Sequence, residues 1–111
     1  MLHIGDLFEL IRIQMNRMET LNGRIYNVGG GRDISLSLLE TTDLCKQITG
    51  SEIDIGRVEE THPADVRIYI SDNYDVNQDT GWSPKTEPRE ILTDMYQWIK
   101  TNENEIKRTL L

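Results

Sequence analysis

The chain has 111 residues, 37% of them hydrophobic and 28% charged, and a formal net charge of −7. That length suits one domain with a modest core, and the acidic balance excludes a surface built for nucleic acid. No apolar run reaches the roughly 18 residues of a membrane helix, and Met1-Leu2-His3 leads into a helix signal rather than a basic-then-apolar leader, so a location in the cytoplasm, away from membranes, is expected.

Asp6 with Glu9 reads as a capping pair, and Leu7, Leu10, Ile11, Met15, Met18 and Leu21 recur at helical spacing up to Asn22-Gly23. An amphipathic helix over about residues 7–21 is predicted. Residues 24–28 then read as a short strand entering Gly29-Gly30-Gly31. Ser37 with Glu40 forms a second capping box, and Leu38, Leu39, Leu44 and Ile48 carry a helix to Gly50, which suits the left-handed closing position. Six residues, Arg32 to Ser37, separate the glycines from that helix. The glycines therefore read as a wide turn rather than a dinucleotide loop, in which the helix begins at the last glycine. Cys45, the single cysteine, excludes an internal disulfide and a multi-thiolate zinc site, and its place beside Leu44 and Ile48 marks it as packed.

Ile53 and Ile55 alternate with polar residues as a second strand, with Val58 as an optional extension, and Val66 to Ile70 read as a third. Ser71-Asp72-Asn73 offers caps for a short helix through about Asp79, closed by Thr80-Gly81, after which Trp82 is expected in the core. Pro88 suits a first helical turn, and Ile91, Leu92, Met95, Trp98 and Ile99 continue the last helix, with Asn102 to Glu105 expected to fray it. The order predicts an α/β or α+β class: a small domain of three to four helices with short strands.

One stretch points to a ligand. A turn carrying His62, Pro63 and Asp65 runs into a strand that places Arg67 and Tyr69 on one face. A guanidinium can take a phosphate through two hydrogen bonds, and a carboxylate accepts bonds from vicinal hydroxyls, so this array suits an anionic ligand with sugar hydroxyls. The alternative is a surface turn entering a half-buried strand. His3, beside Leu2 and Ile4, reads as a core or cap residue rather than an acid/base group.

Leu2-His3-Ile4 with Asp6-Leu7, then Tyr26 to Gly31, Pro63-Ala64-Asp65-Val66 with Tyr69 and Asp72, and finally Gly81-Trp82-Ser83-Pro84-Lys85 stand in a distinctive order. Together, over about Leu2 to Lys100, they resemble the carboxyl-terminal part of the extended short-chain dehydrogenase/reductases, the NAD-dependent epimerase/dehydratase family acting on nucleotide sugars. The Ser35-to-Glu40 stretch and Ala64 are most similar to the CDP-paratose (tyvelose) 2-epimerase subgroup.

The resemblance implies that residues 1–111 form a substrate-binding domain fragment without the Rossmann NAD-binding domain. NAD serves the intact family, and no cofactor is expected on this chain. A CDP- or UDP-sugar would be its ligand, with Asp65 and Tyr69 as the best-matched site residues. His62 stands where the family has an arginine on the diphosphate. An imidazole offers one donor where a guanidinium offers five, and Arg67 is a candidate substitute. Tyr96 and Lys100 have the spacing of the family's catalytic Tyr-x-x-x-Lys pair, but they follow every substrate motif and lack an upstream serine, so no catalytic residue is assigned. The expected function is the nucleotide-sugar-binding portion of an epimerase, not catalytic alone. The alternative is a non-catalytic interaction or oligomerisation module, which would meet a Rossmann-domain partner chain or a second copy through the unpaired Tyr26 strand and the apolar surface of the first helix.

Overall fold

The computed structural model describes residues 1–56 and 64–110. Its elements are α1 (Ile4–Asn16), α2 (Met18–Leu21), α3 (Leu38–Thr49), α4 (Tyr74–Thr80), α5 (Pro88–Thr101) and α6 (Glu103–Leu110). No strand occurs among the described residues. The expected α/β or α+β class with short strands is therefore corrected to an all-helical one.

The physical reason lies in what a strand requires. Alternating β-branched residues favour a pleated, half-buried surface, but the backbone N–H and C=O groups need a neighbouring strand. Residues 24–28, 53–56 and 66–70 have no such neighbour among the described residues, and Ile25, Val66 and Ile68 stand exposed. The Tyr26 strand, expected as an unpaired edge, is accordingly not formed among the described residues.

Helix α1 starts earlier than its capping pattern suggested. His3 is the N-cap, its Nδ1 accepting from the Gly5 N–H at 3.1 Å, while its Nε2 lies 3.4 Å from Asp94 Oδ2 on α5. The cap role expected for His3 is thus the one it fills. Asp6 sits in the first turn, where a negative charge suits the helix dipole. The helix stops at Arg17, whose φ of −128° leaves the helical region, and the single turn α2 ends at Asn22-Gly23.

The Ser37–Glu40 capping box forms as predicted, with the Ser37 N–H donating to Glu40 Oε2 at 2.8 Å and the Glu40 N–H to Ser37 Oγ at 3.2 Å. Gly50 and Gly81 close α3 and α4 with φ of +68° and +73°, a region favourable only to glycine. Pro88 opens α5. Instead of fraying through Glu105, the chain breaks once at Asn102 and resumes as α6.

Leu10, Val76 and Trp82 form the core, with Leu2, Ile13, Tyr26 and Val28 packed around them. Trp82 is buried as expected, its indole N–H donating to the Asp6 carbonyl at 2.8 Å. A second layer joins α3 to α5. There Cys45, half-buried, lines a small hollow together with Ile48, Leu92 and Met95.

Candidate ligand-binding site at the glycine turn

The turn after Val28 is fixed from the far side of the sequence. Asn73 accepts from the Gly29 N–H through Oδ1 at 3.1 Å and donates from Nδ2 to the Gly29 carbonyl at 2.8 Å. Ser71 Oγ accepts from the Gly31 N–H at 2.9 Å. The approach is close enough to require glycine: a Cβ on Gly30 would lie 1.9 Å from the Met1 carbonyl oxygen, and one on Gly29 2.4 Å from Ser71 Oγ.

Two hollows open on either side of this contact and share Gly30, Gly31 and Ser71. One, of about 340 Å³, is walled by Tyr69, Leu36 and Ser35. The other, of about 490 Å³, is polar, with Arg32, Asp33, Asp72, Asn73 and Asn77 on its walls. Both volumes fall in the range of small-molecule sites. Tyr69, 78% exposed, offers an aromatic face, Arg32 a guanidinium suited to phosphate, and Asp33 and Asp72 carboxylates suited to hydroxyls.

Of the four residues singled out by sequence, Tyr69 lines the smaller hollow. Asp65 and Arg67 are exposed on the segment leading to it and line neither hollow. His62 lies outside the described residues. Arg32, Ser71 and Asn73 escaped the sequence reading. Ser71 and Asn73 read only as helix caps, and no local pattern marks bonds that reach 40 and 44 residues back along the chain.

The glycine run is not a dinucleotide cradle. Such a cradle aims its backbone amides at the pyrophosphate at a helix start, whereas the Gly29 and Gly31 amides are occupied by Asn73 and Ser71, and α3 begins only at Leu38. Tyr96 and Lys100 do share a face of α5, with Lys100 Nζ 5.4 Å from the Tyr96 ring centroid, a cation–π contact. Among the described residues no group of three or more His, Cys, Asp and Glu is placed to hold a metal ion, and no helix is long and apolar enough to cross a membrane.

No protein-family profile matches the chain. It is 26% identical over 100 residues to a CDP-paratose 2-epimerase of Salmonella typhi, covering 90% of this chain and 29% of that protein. It is 31% identical over 100 residues to a probable UDP-arabinose 4-epimerase of Oryza sativa subsp. japonica, covering 89% of this chain and 24% of that protein. The chain thus spans between a quarter and a third of the length of one relative and slightly under a quarter of the other. Over nearly all of its residues the chain is thus distantly similar to a part of two nucleotide-sugar epimerases.

Proposed function

We propose that this chain binds a pyrimidine nucleoside diphosphate sugar, as the substrate-holding portion of a nucleotide-sugar epimerase, and performs no epimerisation alone. The observation that carries the reading is the pair of hollows sharing the glycine turn, one with an aromatic wall at Tyr69 and the other with a guanidinium at Arg32. The ligand class follows from the relatives, one named for a CDP sugar and the other for a UDP sugar. The base lies against Tyr69 and the diphosphate meets Arg32. Asp65 and Arg67, exposed before Tyr69 and outside both hollows, are assigned no contact with the ligand in this mode. Within the family, the CDP-paratose (tyvelose) 2-epimerase subgroup is our choice, which makes cytosine the preferred base.

Calorimetry with CDP-glucose, UDP-glucose and the free nucleotides tests this. Saturable binding is expected, at least about tenfold weaker in Tyr69→Ala and Arg32→Ala, with Asp65→Ala, outside both hollows, as the unchanged comparison. Absence of saturable heat with every nucleotide, or binding indifferent to Tyr69→Ala and Arg32→Ala alike, overturns the reading.

A further inference from the structure

His3 is an unusual residue with which to open a helix. Serine, threonine, aspartate and asparagine cap helices throughout the neutral range, whereas an imidazole can cap only in one of its protonation states. Which state the fold selects follows from the atoms used. Nδ1 accepts from the Gly5 N–H at 3.1 Å, so that nitrogen presents its lone pair and carries no proton. Nε2 lies 3.4 Å from Asp94 Oδ2 on α5, which places the single proton of the neutral ring there, facing a carboxylate. Both nitrogens are engaged, and each contact requires the other's tautomer.

The surroundings suit this placement and leave it open to protons. Gly5 makes room for the ring, since a Cβ there would lie 2.9 Å from Nδ1. The His3 side chain keeps 25% of its surface in solvent, enough to exchange a proton with water. Asp94 faces it from α5, and Asp6, in the first turn of α1, lies within reach of its charge. The remaining walls of the hollow that His3 and Asp94 share are apolar, with Leu2, Ile91 and Met95 among them, and no described lysine or arginine lines it.

A second proton sets these contacts against each other. It can enter only at Nδ1, where it turns the acceptor of the Gly5 N–H into a donor and breaks the cap. The positive ring is at the same time drawn more strongly to Asp94 and Asp6.

We propose that His3 is a proton-operated clasp at the junction of α1 and α5: the neutral ring caps α1 and meets Asp94, and the doubly protonated ring keeps Asp94 but releases the first turn of α1. That turn carries Asp6, whose carbonyl accepts from the Trp82 indole, so the release reaches the core through Trp82. The clasp is independent of the nucleotide-sugar reading, because His3 and Asp94 line neither hollow at the glycine turn.

Heteronuclear NMR of the 111-residue chain between about pH 8 and about pH 5.5 tests it, a range in which an imidazole titrates and an ordinary carboxylate does not. At the upper end His3 is expected to show a protonated Nε2 and a bare Nδ1. As the ring takes its second proton, the Gly5 amide should lose at least about fivefold of its protection from hydrogen exchange, after correction for the intrinsic rate, as expected for a lost cap. Protection of the Trp82 indole N–H should fall with it. In His3→Asn, whose side-chain carbonyl caps without titrating, both steps should vanish although His62 is retained. A proton on Nδ1 at the upper end overturns the proposal, as does a Gly5 amide or a Trp82 indole that ignores the His3 titration. So do steps that persist in His3→Asn. Tautomer and exchange are read on the native chain, so the decision stands even if His3→Asn fails to fold.

Discussion

Trp82 is joined to Asp6 across 76 residues of sequence. The indole donates to the Asp6 carbonyl, and the Asp6 carboxylate accepts from the N–H groups of Lys85 at 3.1 Å and Thr86 at 3.0 Å, holding the strap that follows the tryptophan. One residue in the first turn of α1 thereby anchors the whole 81–86 connection. Hydrogen bonds to a charged group contribute about 1.5–3 kcal/mol, less where water reaches them. Asp6→Ala is expected to cost about 1–2 kcal/mol, measured as a lower urea midpoint with unchanged slope and a red shift of tryptophan emission. An unchanged midpoint would remove the anchor from the account.

The same carboxylate sets a pH response. Burial alone would raise its pKa, but the amides of Thr86 and Lys85, the Thr86 hydroxyl and the nearby His3 outweigh it and hold Asp6 below the ordinary carboxylate value. A group depressed in the folded state binds its proton more weakly there than in the unfolded chain. Its contribution is present in full above the unfolded value near 4 and is lost as pH falls through the lower folded value. Urea midpoints taken between neutral and strongly acidic pH should therefore fall more steeply in the native chain than in Asp6→Asn, which keeps an acceptor but cannot titrate. Parallel curves would contradict the assignment.

Gly30 is the tightest point of the glycine turn, since an added Cβ meets backbone at Met1 rather than a side chain that could swing away. Gly30→Ala must displace either the first residues or the turn, at about 1–3 kcal/mol. Because Gly30 belongs to both hollows, the variant should also weaken any nucleotide that the native chain binds. Gly50→Ala serves as the comparison. It meets no neighbour but carries a φ of +68°, so it loses stability through backbone strain without touching the hollows.

Local signals transferred well from sequence to structure. The Ser37–Glu40 box, the glycines closing α3 and α4, Pro88 at the start of α5 and the buried Trp82 each depend on chemistry within a few residues. Asp6–Glu9 misled because it satisfies the same pattern one turn inside a helix that His3 had already capped. The strands failed for a different reason: alternation at Ile53–Ile55 and Val66–Ile70 records a preference, and pairing needs a neighbour that the pattern cannot supply. At the candidate site, Tyr69 stands out in sequence through the family resemblance and through a strand face that does not form. Arg32 was passed over as part of the spacer between the glycines and α3, and the grip of Ser71 and Asn73 on the glycine turn is a contact between distant parts of the chain.

Tyr26 closes the opposite flank of the core. Its hydroxyl donates to Asp79 Oδ2 at 2.8 Å, and that same oxygen lies 3.9 Å from Arg24 Nε. Burial first, then the hydrogen bond to Asp79 and its negative charge, push the phenol above its ordinary pKa, with the cations Arg24 and Arg17 opposing. A raised folded value gives stability that is full below the unfolded value near 10 and is lost as pH climbs through the folded one. Tyr26→Phe keeps the ring in the core and leaves Asp79 with Arg24 and solvent, so the unfolding midpoint near neutral pH should fall. Unfolding midpoints followed into the alkaline range should converge between native chain and variant as that advantage disappears. A gap that persists undiminished past the tyrosinate absorbance transition would show that Asp79 is not what holds the phenol's proton.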